Sequence, residues 1–170
     1  AGLVGEDGST HHGVFDLALF RSVPNTAIWA PRNGAALKEA LTEALAYGGP
    51  AIIRYPKGTE PNLPEAIERR GRMDILQWGT GTVHFCLGPV MANALIEARP
   101  TESVVDLRMA KSINPDMLAY FAKNHYLWMV WEDGQALGGV GAALSTWLAE
   151  NAIPGVQCLR RSYPDQFIGH

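Results

Sequence analysis

The chain has 170 residues, 47% of them hydrophobic and 18% charged, with a formal net charge of -3. That length and balance suit one ordinary soluble domain, or a small domain plus part of another, with enough chain for a real core. Mild acidity excludes a broad electrostatic footprint for nucleic acid, and no apolar run reaches the roughly 18 residues of a membrane span.

The first informative stretch is "GEDGSTHHGVFD", residues 5–16. It holds Glu6, Asp7, His11 and His12 among glycines. A short apolar strand over residues 2–4 is expected to deliver Glu6 and Asp7 to a sheet edge, where open α/β sheets bind ligands. A carboxylate beside an imidazole can hold hydroxyls and move protons. The same residues also suit a polar turn with Asp7 capping a local amide, so the stretch alone leaves both readings open.

"TAIWAP" at residues 26–31 is a short apolar run stopped by proline. Next, "NGAALKEALTEALAY" places Leu37, Leu41 and Leu45 four residues apart, one face of an amphipathic helix. "GGP" at residues 48–50 ends that helix. "AIIRYP" at residues 51–56 reads as a buried strand ending in Arg54. A buried guanidinium needs an anionic partner. Either a structural carboxylate or a substrate phosphate meets that need.

Residues 57–72 collect two prolines, two glycines and local charge, including the basic "ERRGR", and read as a solvated linker. After it, strand and helix patterns alternate again. "MDILQWGTG" is strand-like, and "FCLGPVMANALIEA" is helical in its second half, with Pro89 in a first turn. "ESVVDLRM" is a strand, and "INPDMLAYFAKNH" starts a helix with Asn114 as N-cap and Pro115 at the first position. "YLWMVWED" is a buried strand, and Val140, Leu144, Trp147 and Leu148 line one face of a following helix. "GVQCLRRSYP" is the last strand. Such alternation predicts a mostly parallel sheet covered by helices on both faces.

Other polar features read as structural. The glycine-rich "EDGQALGGVG" lacks the spacing of a dinucleotide loop and reads as a tight strand-to-helix turn, with an anion at the helix N-terminus still open. Glu132 and Asp133 could bind a cation or face solvent, and read first as solvent-facing. His84 and Cys86 read as packing at the start of a helix, and His125 as a cation at a helix C-terminus. Cys86 and Cys158 have no CxxC partner, so free thiols in a reducing compartment are expected.

Taken together, "GLVGEDGSTHHGVFDLALFRSVPN", "AIIRYPKG", "VVDLRMAKSINPD", "WEDGQALGGVG" and "YPDQFIGH" occur in an order that resembles the 1-deoxy-D-xylulose-5-phosphate synthases. These are transketolase-like enzymes that depend on thiamine diphosphate. The resemblance covers essentially the whole chain but only the C-terminal part of the enzyme. It implies an α/β fold in two pieces: a partial pyrimidine-binding layer over residues 1–58, a linker at 59–71, and a C-terminal transketolase-type domain with a mostly parallel sheet over 72–170.

The reaction implied is condensation of pyruvate with glyceraldehyde 3-phosphate and loss of CO2, serving isoprenoid and thiamine biosynthesis. By resemblance, Asp7 and His11 contact substrate and reacting oxygens, His11 also as proton relay, and Arg54 helps hold the aldehyde's phosphate. His12 falls where the family varies and receives no role. Thiamine diphosphate and Mg2+ are the implied cofactors, with their main binding residues, including the activating glutamate, upstream of Ala1. A homodimer is implied, cytoplasmic in bacteria or in the plastid stroma in plants.

The chain therefore reads as an excised segment, inactive alone, whose missing N-terminal part is its partner. "APRNGAAL", Ser112 in "KSINPD", and "GTGTVHFCLG" depart from the family pattern. Two alternatives stand beside this reading. One is a transketolase or the C-terminal subunit of a split one. The other is a non-catalytic dimerisation or regulatory module.

Overall fold

A computed structural model describes residues 1–169. His170, the last residue of "YPDQFIGH", lies outside the described residues. The first half holds helix α1 (Asp16–Arg21), strand β1 (Ala27–Trp29), helix α2 (Gly34–Ala46) and strand β2 (Ala51–Ile53). β1 and β2 form a two-stranded parallel sheet.

The second half holds β3 (Glu68–Arg70), β4 (Met73–Gln77), β5 (Gly81–Leu87), α3 (Met91–Glu97), β6 (Ser103–Asp106), α4 (Pro115–Asn124), β7 (His125–Gln135), α5 (Val140–Glu150) and β8 (Gln157–Tyr163). Its six-stranded sheet runs β3-β4-β6-β5-β7-β8. β6, β5, β7 and β8 are mutually parallel, and β4 runs antiparallel to β6 and to β3.

The expected division into a partial layer and a distinct C-terminal domain is corrected by the packing. Leu17, Ile28 and Ala30 belong to the same buried cluster as Phe85, Val105, Val130 and Leu144. β1 also joins the following layer through its backbone: Ala30 N–H donates to Arg108 O, and Ala110 N–H donates to Ile28 O, both at 2.9 Å. One continuous apolar core forms a single compact α/β unit, because a three-residue parallel pair cannot bury its faces alone.

α2 begins where Asn33 accepts a hydrogen bond from Ala36 N–H at 2.9 Å, an ordinary N-cap. The leucine stripe, expected inward, faces out: Leu41 is 52% and Leu45 81% exposed. Ala36 and Ala40 form the buried face instead, and Ala40 packs with Trp29 and Met109. Small side chains let the helix approach the β1 layer closely. β2, expected to be buried, is likewise half open, with Ala51 exposed and Ile52 and Ile53 only partly covered.

Residues 81–87 form a strand rather than the start of a helix. Val83, Phe85 and Leu87 point to one buried cluster and Cys86 to another, so both faces of β5 are covered. Two-sided burial removes the polar-apolar alternation by which a strand is usually recognised. On the second face, Trp131 Nε1 donates to His84 Nδ1 at 3.1 Å. His84 Nε2 therefore carries the proton and donates to Glu102 Oε2 at 3.0 Å.

His125 does follow the end of α4, but not as a cation. It opens β7, buried, with Nε2 at 2.9 Å from Ser103 Oγ. Burial pulls its pKa below the ordinary histidine range, against a backbone contact to Phe121, so the neutral ring is favoured. "ERR" is β3, in which Arg69 Nε donates to Asp74 Oδ1 at 2.5 Å.

Gly79 sits where two backbones nearly touch. A Cβ there would lie 2.2 Å from Thr101 O. Gly79→Ala should therefore lower unfolding free energy by about 1–3 kcal/mol, the usual range for overpacking. Urea denaturation measures it, and an unchanged midpoint would show that the two backbones part without strain.

Candidate active site

The proposed site begins with a loop closed at both ends by glycine. Gly2 and Gly13 exchange both backbone hydrogen bonds at 2.9 Å, an isolated antiparallel bridge. The strand expected over residues 2–4 is absent; this single bridge stands in its place. A Cβ on Gly13 would lie 2.9 Å from Ala1 Cα, so the bridge needs a bare backbone there. Inside the loop, Gly5–Asp7 forms a 3-10 turn, and Gly8 leaves it at φ 72°.

The adjacent histidines part ways. His12 turns inward, and its Nδ1 accepts from Val4 N–H at 3.1 Å. Its Nε2 therefore carries the proton, and that atom is buried without a partner. His12 thus pins the loop. His11 is exposed, with Nδ1 3.0 Å from Thr10 Oγ1. Asp7 is also exposed and pairs with Lys57. That hydrogen bond and the lysine charge hold the carboxyl below the ordinary aspartate range, with a smaller contribution from nearby His11.

Arg54 closes the loop from beneath. Its side chain is 2% exposed. Nε donates to Asp16 Oδ2 at 2.8 Å, and Nη2 donates to the carbonyls of Gly13 and Asp133 at 2.8 and 3.0 Å. Nη1 donates to Asp133 Oδ1. Burial opposes the guanidinium's charge, but Asp133 and Asp16 outweigh it and hold Arg54 protonated. Arg54 thereby ties the loop, α1, β2 and the end of β7 into one wall.

Asp133 is thus not a free solvent-facing acid, and neither is Glu132. Glu132 is buried and accepts from Val140 N–H at 2.6 Å and Gly141 N–H at 3.0 Å. The anion at the α5 N-terminus is this internal carboxylate. A Cβ on Gly139 would fall 2.5 Å from Glu132 Oε2, which explains the glycine in that turn. Burial pushes Glu132 above the ordinary glutamate range, against its two backbone donors.

Beside the wall runs an open groove of about 470 Å³, lined by Gly13, Asp16, Ile53, Arg54, Tyr55 and Lys57 among others. The structure therefore brings Asp7, Lys57 and Arg54 to one corner, with His11 on the same loop. Lys57, Asp16 and Asp133 were not singled out from sequence as members of it. Only the basic residue directly after "RYP" offered a signal.

A magnesium-bound diphosphate needs several converging oxygen donors. Among the described residues, no group of three His, Cys, Asp or Glu side chains is placed to hold a metal ion. The residues present do not fit that group. No described helix is long and apolar enough to cross a membrane.

The fold is similar to that of transketolase-type α/β proteins. The chain superposes on a split-gene transketolase, solved as an inactive β4 tetramer, with a TM-score of 0.81 and 27% identity over 94% of this chain and 55% of that one. Transketolase from Campylobacter jejuni shares the fold at a TM-score of 0.65 and 19% identity, over 96% of this chain and 25% of that one.

Residues 1–61 match the family model "Transketolase, pyrimidine binding domain". That match corrects the resemblance to a C-terminal part, because the family signal lies in a pyrimidine-binding domain and begins at the first residue. Among curated relatives, the 1-deoxy-D-xylulose-5-phosphate synthases of Sulfurimonas denitrificans and Thermus thermophilus are 36% and 39% identical over the whole chain. The chain spans only 29% and 28% of their lengths.

Proposed function

We propose that this chain is one part of a thiamine-diphosphate-dependent transferase of the transketolase type, acting as a subunit of a split transketolase. The likeness to the split-gene transketolase carries this reading. It extends over nearly all of this chain and more than half of that one, whereas the synthase relatives are matched over less than a third of their length. That relative's inactive state supports an inactive chain here when it stands alone.

On this reading the cofactor would be held by residues of a counterpart chain and would supply the electron sink there. The chain contributes the substrate wall. Asp7 accepts hydrogen bonds from substrate hydroxyls, and His11 holds or moves a proton at a substrate oxygen. Arg54 fixes the wall through its carboxylate partners and brings a cation to the groove.

A second reading rests on the 36–39% identity to the synthases. There the donor is pyruvate, the acceptor glyceraldehyde 3-phosphate, and CO2 leaves. One complementation assay separates the two. The chain is mixed with a cofactor-binding counterpart, thiamine diphosphate and Mg2+, and then offered either a ketose phosphate or pyruvate as donor. Ketol transfer without CO2 release is the expected result. CO2 release from pyruvate would establish the synthase reaction instead, and turnover by this chain unaided would overturn the split-subunit reading.

A further inference from the structure

We infer that the cavity between the start of α2, residues 55–61 and Pro89 is a binding site for a small carboxylate with an apolar body, and that Glu60 keeps the place of that carboxylate until the ligand arrives. The cavity measures about 380 Å³, within the usual range for small-molecule sites. Its apolar wall comes from Pro31, Leu37, Tyr55, Pro56, Pro61 and Pro89. The lining residues include no Ser, Thr, Cys, His or Lys, so the cavity is equipped to bind rather than to react. The site needs no assumption about the reaction proposed above.

The polar end of the cavity is the N-terminus of α2. A helix start leaves N–H groups unanswered and favours an anion. Asn33 answers Ala36 N–H, and Glu60 Oε2 accepts from Gly34 N–H. The resident group at this end is therefore already a carboxylate. The second donor is Arg32, which also lines the cavity and whose side chain is 9% exposed. Its Nη1 is taken by Asp74 and Asp106, but its Nε is buried without an acceptor. Those aspartates are also served by Arg69 and by the Arg108 backbone N–H, so the guanidinium keeps attraction for a further anion. A buried donor left unanswered is costly. An incoming carboxylate seated between Gly34 N–H and Arg32 Nε answers both donors, whereas Glu60 answers one.

Glu60 is a weakly held occupant. It is exposed and lies in residues 54–67, which form no helix or strand. Arg54 fixes one end of that segment, and Leu63, packed against the second core cluster, fixes it further on. Between them, the bond to Gly34 is the segment's only hydrogen bond to α2 among the described residues. Gly34 keeps the place open, since a Cβ there would lie 2.8 Å from Glu60 Oε2. A free ligand brings its own apolar body with its carboxylate. Exchanging Glu60 for it keeps the hydrogen bond to Gly34 and adds burial against the proline and tyrosine wall.

Phenylacetate is the probe, with phenylacetamide as its uncharged counterpart. The full chain is titrated with each at constant ionic strength while the Gly34 amide is followed by NMR. The acid should move the Gly34 resonance saturably, and the amide should not. Glu60→Ala removes the resident carboxylate and should tighten the acid about three- to tenfold, the scale of one exposed hydrogen bond. Gly34→Ala should weaken it about tenfold or more, because the added methyl takes the carboxylate's place while alanine still favours the helix. Circular dichroism checks that both variants stay folded.

A Gly34 resonance indifferent to phenylacetate, or one that answers acid and amide alike, overturns the inference. Unchanged or weaker binding in Glu60→Ala does so too, because Glu60 is then a fixed cap of α2 rather than a stand-in for a ligand. A response that survives intact in Gly34→Ala places the acid elsewhere and has the same force. None of these readouts uses turnover, so a failure of the transferase reading leaves the cavity's test untouched.

Discussion

Arg32→Met is expected to lower the unfolding free energy by about 3–5 kcal/mol, the usual result of removing one partner from a buried ion pair. Arg32 Nη1 donates to Asp74 Oδ2 at 2.6 Å and to Asp106 Oδ2 at 2.8 Å. Both carboxylates are almost completely buried. Asp74 would keep Arg69, but Asp106 would retain only the Arg108 backbone N–H. Methionine fills much of the arginine's volume, so the loss would report on charge more than on a cavity.

The pH dependence gives the sharper test. Burial, only partly offset by Arg32, pushes Asp106 up to about 6. A raised acid favours its protonated form in the folded state. Its contribution is therefore complete below the ordinary aspartate range and declines as the pH rises through about 6. Without Arg32 the ionised form loses its main attraction. The cost of Arg32→Met should thus be larger at about pH 7 than at about pH 5. Asp106→Asn added to Arg32→Met should recover much of the loss near neutrality. Urea unfolding of the three chains at both pH values checks this, and a pH-independent loss without rescue would point away from the ion network.

His11→Ala should lower kcat of the reconstituted enzyme by about 10²–10⁴-fold, the typical worth of a positioned proton-transfer group. Because His11 is exposed, stability should change by no more than about 0.5 kcal/mol. His12→Ala should behave oppositely. It removes the acceptor of Val4 N–H and should loosen the loop, seen as faster amide exchange at Val4. Parallel measurement of kcat and exchange on the two variants separates the roles. If His11→Ala leaves kcat within a few-fold of the parent, the proton-transfer role of His11 is wrong.

Several features were legible because they depend on neighbours in sequence. Asn114 followed by Pro115 marks the start of α4, and the structure shows Asn114 Oδ1 accepting from Asp116 N–H at 2.9 Å. "GGVG" was readable as a tight turn into α5 because glycines there admit close approach. Arg54 at the end of an apolar strand announced that an anion must be near. Its two readings could not be separated in sequence, since Asp16 and Asp133 lie 38 and 79 residues away. β5 carries no strand signal in sequence, because burial on both faces leaves no periodicity to find.

What the sequence determined by itself is local: which segments favour helix or strand, where caps and turns fall, and which side chains carry charge that must be answered. Tertiary structure decided orientation and partnership. The spacing of Leu37, Leu41 and Leu45 defined a face of α2, but only contact with β1 chose the alanine face for burial. "HH" offered two equal imidazoles, and the loop closure between Gly2 and Gly13 turned one inward and left the other outside. The physical reason is common to both. Periodicity and propensity act over a few residues, whereas burial and ion pairing depend on chain segments that meet only after the core has formed.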